Sequence, residues 1–411
     1  MTETDLAGLA WVRLTFVDVF GTSNSLQLPA ARYAEAVAAG ELFDGSALQG
    51  RSRSLESDMR LAPDPGTLHR VGDVGRVACT VRTPAGDPWP GDPRTALTAM
   101  VGADSPISDL ASAWTAAAEL ELYLLDDGGP VDRSGYFDDR EGLGMTVVRR
   151  AASFLLGAGV GVLSCHHEAG PGQYEIDLAP LGPLALADAL VLAKQTVREV
   201  AADAGILATF MARPLDGEAG SGLHLNQVVP GMVADGGHLS EEGRSFVAGF
   251  LTHARALAAL GSPTVNSYKR LHAGPEAPGA AVWAHVNRAA LVRIGGGGIE
   301  YRAPDASANP YLLVAGALVA AADGLANNLD PGPPLEELVD SYDPSLANAV
   351  RYQPLPRSLD EALDALLEDD VFVDAFDHRL LANLVSGRRS EAEEYRGHVT
   401  AWELERYLDE C

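Results

Sequence analysis

Cysteine is nearly absent from this chain. Cys79, Cys165 and Cys411 are the only three in 411 residues, far apart and odd in number. A disulfide framework and a CxxC metal site are therefore excluded, and a reducing, cytoplasmic setting is expected. Lysine is scarcer still, with only Lys194 and Lys269. Positive charge as a whole is short: 30 basic residues face 57 acidic ones, leaving −27. Such a field repels phosphate backbones and anionic bilayers, so neither nucleic acid nor a membrane is an expected partner. Long apolar runs are missing too. The longest, Leu312 to Ala322, is too short to cross a bilayer and meets Asp323 at once. The opening Met-Thr-Glu-Thr-Asp has no basic stretch ahead of an apolar core, so no export is expected. Aromatic residues make up 6%, but hydrophobic residues reach 47% against 21% charged. That balance suits a soluble globular chain with a sizeable core, and excludes disorder and fibrous repeats.

Residues 11–20, WVRLTFVDVF, and residues 71–83 are β-branched runs separated by Pro/Gly/Asp turns, which predicts a small, mostly β N-terminal domain. The stretch Thr83 to Pro93 concentrates Pro, Gly and Asp and reads as the linker, giving domains 1–88 and 89–411. Beyond it, strands are expected at 115–126, 160–165, 173–179, 206–212, 222–229 and 281–294. Helices are expected at 141–157, 183–204, 241–260 and 307–325, and the tail from Ser358 is amphipathic and helical. The class is α+β, with a large sheet in the second domain.

The chemistry-bearing residues sit on these strands. In AAAELELYLL, Glu119 and Glu121 stand two apart and leave the same face of a strand. CHHEAGPGQYEIDLAP adds Glu168 and, across a Gly-Pro-Gly turn, Glu175; His224 in GSGLHLN and Glu300 in IEYRAPD complete the set. Five carboxylates and one imidazole suit hard, oxygen-preferring cations such as Mg²⁺ or Mn²⁺. One divalent ion cannot neutralise five carboxylates, so two positions are favoured, the arrangement that clamps a phosphoryl transfer. Arg270, Arg288, Arg293 and Arg302 lie near these carboxylates in sequence, and guanidinium forks bind phosphate and carboxylate bidentately.

Taken in order, HHEAGPGQYEI, TFMARP, GSGLH, PTVNSYKRL, EAP, NRAALVRI and EYRAPDASANPYL resemble the motifs of glutamine synthetases. The likeness extends upstream through FDGSALQG, ESDMRLAPDP, GDPR and GYFD and downstream to LPRSLDEAL and WELERYL. It implies a β-grasp N-terminal domain, a catalytic α/β barrel-like domain and a homo-oligomer of stacked rings with active sites between subunits. It assigns Glu121, Glu168 and Glu175 to one metal and Glu119, His224 and Glu300 to the other, with ATP as co-substrate. Arg270 would grip the substrate carboxylate or transferred phosphoryl, with Gly220 beside it in the substrate pocket. Arg288, Arg293 and Asn226 would lie on the nucleotide and its phosphates, and Arg302 on the γ-carboxylate under attack. Glu276, in GPEAP, resembles the flap carboxylate that takes a proton from the amine. Asp44 in FDGS resembles the aspartate that reaches the ammonium pocket from a neighbouring subunit, and Tyr136 in GYFD lines that pocket.

The chain also departs from the family pattern. The connection from Arg293 to Glu300 is short and lacks basic residues, Asn226 and Val228 replace a second histidine and a serine, and Leu163 replaces a glutamate. These changes fall on the nucleotide side. Ala47 and Ala219 remove polar contacts near the acceptor and the amino acid. The expected activity is an ATP-dependent ligase joining the γ-carboxylate of glutamate or an analogue to a small amine or ammonia through a γ-glutamyl phosphate. The alternatives are glutamine synthesis proper from ammonia, and a non-catalytic assembly with a decayed nucleotide site. Against the last, a scaffold has no use for six mutually repelling ligand side chains.

Overall fold

The structure is a computed structural model that describes residues 6–45, 48, 58–234, 236–272, 276–337 and 352–409. Ala47 and Cys411 lie outside the described residues. In the N-terminal part, β1 (Trp11–Val17), β2 (Ser23–Pro29), α1 (Tyr33–Ala39), β3 (Glu41–Asp44), β4 (Asp58–Pro63), β5 (His69–Val71) and β6 (Val74–Arg82) follow in order. The strands form one sheet in the order β2-β1-β6-β4-β3, with β5 on β6, and β1 runs parallel to β6. Alternation along β1 places Val12, Leu14 and Phe16 in a core with Leu28, Tyr33, Met59, Leu61, Val77 and Val81. This is the β-grasp arrangement that the motifs imply.

After the Pro-rich stretch come α2 (Pro93–Val101), α3 (Ser108–Ala113), β7 (Thr115–Asp126), β8 (Gly129–Pro130), α4 (Leu143–Gly157), β9 (Val162–His167), β10 (Gln173–Leu181) and α5 (Pro183–Asp203). Asp92 caps α2, its carboxylate accepting from the amides of Arg94 and Thr95. The chain continues through β11 (Leu207–Thr209), β12 (Leu223–Val228), α6 (Glu241–Thr252), α7 (Ala254–Gly261), α8 (Ser267–Leu271), β13 (Trp283–Ala284), β14 (Val292–Gly295), β15 (Gly298–Tyr301) and α9 (Pro310–Ala326). Four helices end it: α10 (Leu359–Glu368), α11 (Asp370–Ala375), α12 (His378–Gly397) and α13 (Ala401–Tyr407). The second sheet has nine strands in the order β13-β14-β15-β12-β7-β10-β9, with β8 and β11 on β7. Its two ends do not pair among the described residues, which is the incomplete closure of a barrel-like sheet. Helix α9 is apolar on all sides and runs through the main core, flanked by α5, α6 and α7.

Two expected elements divide. The helix expected at 241–260 breaks at His253, whose Nδ1 lies 2.6 Å from Asp369 and whose Nε2 lies 3.0 Å from Asp323. The single strand expected at 281–294 is two short strands. Between them Asn287 turns the chain: its Oδ1 accepts from the Ala289 amide at 2.9 Å and its Nδ2 donates to the carbonyl of Leu335 at 3.1 Å.

Candidate active site

One face of the nine-stranded sheet collects the chemistry. In antiparallel pairs, directly opposed residues share a face. Glu121 opposes Glu175, and Glu175 opposes His166 on β9. One pleat along, His224 opposes Glu119, Glu119 opposes Asp177, and Asp177 opposes Ser164. On the other side Asn226 opposes Glu300, and Glu300 opposes Arg293. Residues from six strands, separated by up to 181 positions between Glu119 and Glu300, thus stand in adjacent rows.

Glu119, His224 and Glu300 converge, each offering a ligand atom within 4.8 Å of the others. His224 Nδ1 lies 2.9 Å from Glu119 Oε2 and 3.6 Å from Glu300. The Asn226 amide donates to the other Glu119 oxygen at 2.6 Å, which places Asn226 on the carboxylate cluster. Burial works to raise the Glu119 carboxyl, but the His224 hydrogen bond and charge, with the Asn226 amide, outweigh it and hold the group at about 2.

The second expected trio is looser. Glu121 accepts from Gln173 Nε2 at 3.0 Å and from the Gly222 amide at 2.9 Å. Glu175 faces His166 Nε2 at 3.3 Å, and Glu168 lies 3.8 Å from His166 Nδ1. A converging group here is instead His166, Glu175 and Asp177. Burial and the neighbouring Glu121 push the Glu168 carboxyl up to about 7. Burial likewise raises Glu175 above the usual carboxylate range, and its hydrogen bond to His166 raises the imidazole. Buried acids that keep their protons for want of countercharge, oxygen-rich and gathered on one face, fit hard divalent cations.

Sequence reasoning missed His166, Asp177 and Gln173. The signal was present: Gln173, Glu175 and Asp177 alternate on β10, and His166 stands two residues before Glu168.

The arginines brace as well as face the site. The Arg293 Nε donates to Glu300 at 2.6 Å, Arg302 Nη1 donates to the other Glu300 oxygen, and Arg302 Nε donates to the carbonyl of Arg288 at 3.1 Å. Arg270 is buried, and its fork is turned to backbone, donating to the carbonyls of Ala303 at 2.7 Å and Arg302 at 3.2 Å. Gly220 sits against Arg270: a Cβ there would lie 2.6 Å from Arg270 Cγ. At Gly222 a Cβ would come within 2.9 Å of His224, Arg270 and Glu121 together, so an added methyl there would push these site side chains aside. Arg288 Nη1 lies 3.5 Å from Glu276, and both side chains are exposed.

The short 294–299 connection is a tight hairpin. Gly296 and Gly297 both have positive φ, 59° and 81°, the two-residue primed turn that matches strand twist and keeps Arg293 opposite Glu300. Leu163 and Val228 are exposed. The carbonyl of Ala219 accepts from Tyr123 Oη at 2.7 Å. Tyr136 and Phe137 are exposed beside His166, with ring centroids 6.0 and 4.6 Å from the imidazole. Asp44 ends β3 on the N-terminal sheet, in register with Asp58, away from the rows of the larger sheet.

Residues 91–407 match the glutamine synthetase catalytic-domain family and residues 8–84 the glutamine synthetase beta-Grasp domain family. The chain is 36% identical over 424 residues to a glutamine synthetase of Thermotoga maritima, covering 97% of this chain and 96% of the relative. It is 35% identical over 438 residues to one from Halobacterium salinarum, covering 100% of this chain and 96% of the relative. Among solved structures, GmaS without ligand is similar with a TM-score of 0.86 at 29% identity, covering 98% of this chain and 97% of that one. A cryo-EM glutamine synthetase of Plasmodium falciparum shares the fold, with a TM-score of 0.86 at 22% identity and coverage of 99% and 96%.

Proposed function

The chain belongs to the glutamine synthetase family, and from that premise we propose that it is an ATP-dependent ligase that joins the γ-carboxylate of glutamate, or a close analogue, to a small primary amine. The observation that carries this reading is the set of facing rows that brings five carboxylates and His224 onto one sheet face beside Arg293 and Arg302. Glu119, His224 and Glu300 would hold one divalent cation, Mg²⁺ or Mn²⁺, and Glu121, Glu168 and Glu175 a second, with His166 and Asp177 at its edge. Bound there, such cations supply the positive charge that lets a triphosphate approach a carboxylate.

The protein's own groups do the rest. A carboxylate is a poor electrophile, and ATP converts its γ-oxygen into a leaving group as γ-glutamyl phosphate. Arg302 orients the γ-carboxylate, Arg288 and Arg293 meet the phosphates, and Gly220 and Arg270 shape the amino-acid end. An ammonium has no lone pair, so it must lose a proton before attack; Glu276 on the flap, or Asp44 from a neighbouring subunit, accepts it. Tyr136 lines the acceptor pocket. The participation of Asp44 makes a homo-oligomer part of the proposal, with an N-terminal domain of 1–88 lying against the next subunit's catalytic domain of 89–411. A GmaS–ADP complex among the similar structures, 29% identical, supports nucleotide use in this fold. The loss of polarity at Ala219 and Ala47 supports an amine over ammonia, because rejection of an apolar analogue depends on polar groups it would leave unpaired.

The test is a panel of acids and amines, with ammonia among them, incubated with ATP and Mg²⁺ or Mn²⁺ and read by phosphate release and product mass. The expected result is release with glutamate and a primary amine, at a higher kcat/KM than with ammonia. Preference for ammonia throughout would overturn the amine clause and keep the ligase. Absence of release with any acceptor would overturn both.

A pH effect follows from Glu168. Its carboxyl is raised from 4.5 to about 7 in the fold, chiefly by burial. The folded chain therefore binds more protons than the unfolded chain between those values, and cation-free stability should fall as pH rises from 4.5 through about 7. A bound cation must displace that proton. Apparent Mg²⁺ affinity should accordingly rise by at least about tenfold per pH unit below about 7, and more gently above it, where Glu175 still has a proton to give up. Calorimetric titration at pH 6 and pH 8, in two buffers of different ionisation heat, reads both the affinity and the released proton. A pH-independent affinity would contradict the assignment of Glu168 to a cation.

A further inference from the structure

Gln173 opens β10 and is only 1% exposed. Burying a primary amide is costly unless its two N–H groups and its oxygen all find partners. Here they do, on three different segments. The side-chain Nε2 donates to Glu121 Oε2 on β7 at 3.0 Å and to the carbonyl of Gly220 at 3.1 Å, while Oε1 accepts from the Gly170 amide at 2.8 Å. These partners also fix which end of the amide is which, since only its nitrogen can donate to a carboxylate and a carbonyl, and only its oxygen can accept from an N–H.

The partners belong to the site. Glu121 Oε2 also accepts from the Gly222 amide at 2.9 Å, so this one oxygen carries two hydrogen bonds. The other, Oε1, is the oxygen turned to His224, 3.9 Å from its Nε2. A carboxylate tethered twice through one oxygen keeps a fixed orientation and presents a defined atom to a cation. The Gly170 amide lies in the turn that carries Glu168, which the Glu168 amide closes by donating to the Gln173 carbonyl at 2.9 Å. The Gly220 carbonyl follows that of Ala219, which Tyr123 Oη holds at 2.7 Å. A single side chain therefore ties the strand of Glu121, the turn of Glu168 and the loop at the amino-acid end.

We infer that Gln173 is a positioning residue: it holds Glu121 so that Oε1 faces the cation assigned to Glu121, Glu168 and Glu175, and it fixes Gly220 through the same amide. This rests on the ligase reading above and adds to it the group that orients one of the two cation positions. Loss of the amide should weaken that cation and spare the one at Glu119, His224 and Glu300.

The test measures Mn²⁺ binding from the electron paramagnetic resonance of the free ion, at one pH and without ATP or turnover. The parent, Gln173→Met, Glu121→Gln and the double variant are compared. Methionine matches the length of glutamine and has no N–H to give. The parent should bind two Mn²⁺, and Gln173→Met should weaken one by about tenfold and leave the other within about twofold. In the Glu121→Gln background the same change should add less than about twofold to the loss, because the amide acts through that carboxylate. Gly249→Ala, which crowds the contact of α6 with α9, is the control for lost stability and should leave both positions unchanged. Gln173→Asn withdraws the amide by one methylene and decides the matter in the same assay if the methionine variant does not fold. Both positions weakened equally, neither weakened, or full additivity with Glu121→Gln would overturn the inference and leave the ligase reading standing. A parent that binds one Mn²⁺ or none overturns the inference together with the two-cation arrangement.

Discussion

Replacing His224 with alanine should lower ATP-dependent turnover by at least about a hundredfold and raise the Mg²⁺ concentration needed for half-maximal rate. Residues that merely orient a metal ligand cost about 10–100-fold when removed, so a ligand at the centre of the group should cost the upper end or more. His224 is that centre: its Nδ1 lies 2.9 Å from Glu119 and 3.6 Å from Glu300, and its Nε2 lies 3.9 Å from Glu121. The loss is electrostatic as well as geometric. Burial alone would raise the Glu119 carboxyl, and the His224 hydrogen bond and charge are the main forces that hold it at about 2. Without the imidazole Glu119 moves up, and a cation must compete with a proton for it. Steady-state rates across an Mg²⁺ titration check this. Turnover within threefold of the parent at saturating metal would remove His224 from the metal set.

Gly249→Ala should destabilise the fold by about 1–2 kcal/mol net, although alanine is the better helix former. An alanine Cβ at 249 would sit 2.0 Å from the carbonyl oxygen of Ala320, and one at Gly324 would sit 2.1 Å from that of Ser245. Ser245 and Gly249 on α6, and Ala320 and Gly324 on α9, are each four apart and share a face. The two helices therefore touch backbone to backbone. A backbone carbonyl has no rotamer to yield, so overpacking costs the upper part of about 1–3 kcal/mol or slightly more, offset by about 1 kcal/mol of helix propensity. Thermal or urea unfolding reads the difference. Gly157→Ala, at an end of α4 where a new Cβ meets nothing within 4 Å, is the control and should be neutral or mildly stabilising. Equal effects at the two sites would refute the close-contact account.

Much of the molecule was legible in the sequence because its signals are local. The strand read at 115–126 is β7, and the helix read at 183–204 is α5, Pro183–Asp203. Both are long and regular in their hydrophobic pattern, and α5 starts on a proline at its first position. The same period of two, carried along β10, would have added Asp177 to Glu175. Shorter elements were less legible. Helix α8 spans five residues, and β13 spans two, too few for any periodicity to register. The break at His253 was hidden because its partners, Asp323 and Asp369, arrive from 70 and 116 positions away.

By itself the sequence determined which residue types could do the chemistry and on which face of its own strand each would stand, since side-chain direction follows from the pleat. Its motifs also carried the family resemblance, and the paucity of cysteine and of positive charge narrowed the partners. Only the tertiary structure decided which strands lie side by side and in what register, and so that Glu121 opposes Glu175 and His224 opposes Glu119. It alone showed that His166 joins Glu175, that Arg270 turns its fork to the carbonyls of Ala303 and Arg302, and that Phe137 holds its ring against His166. The physical reason is that strand pairing is set by burial and hydrogen bonds between distant segments, and a slip of one residue would send every one of these carboxylates to the opposite face.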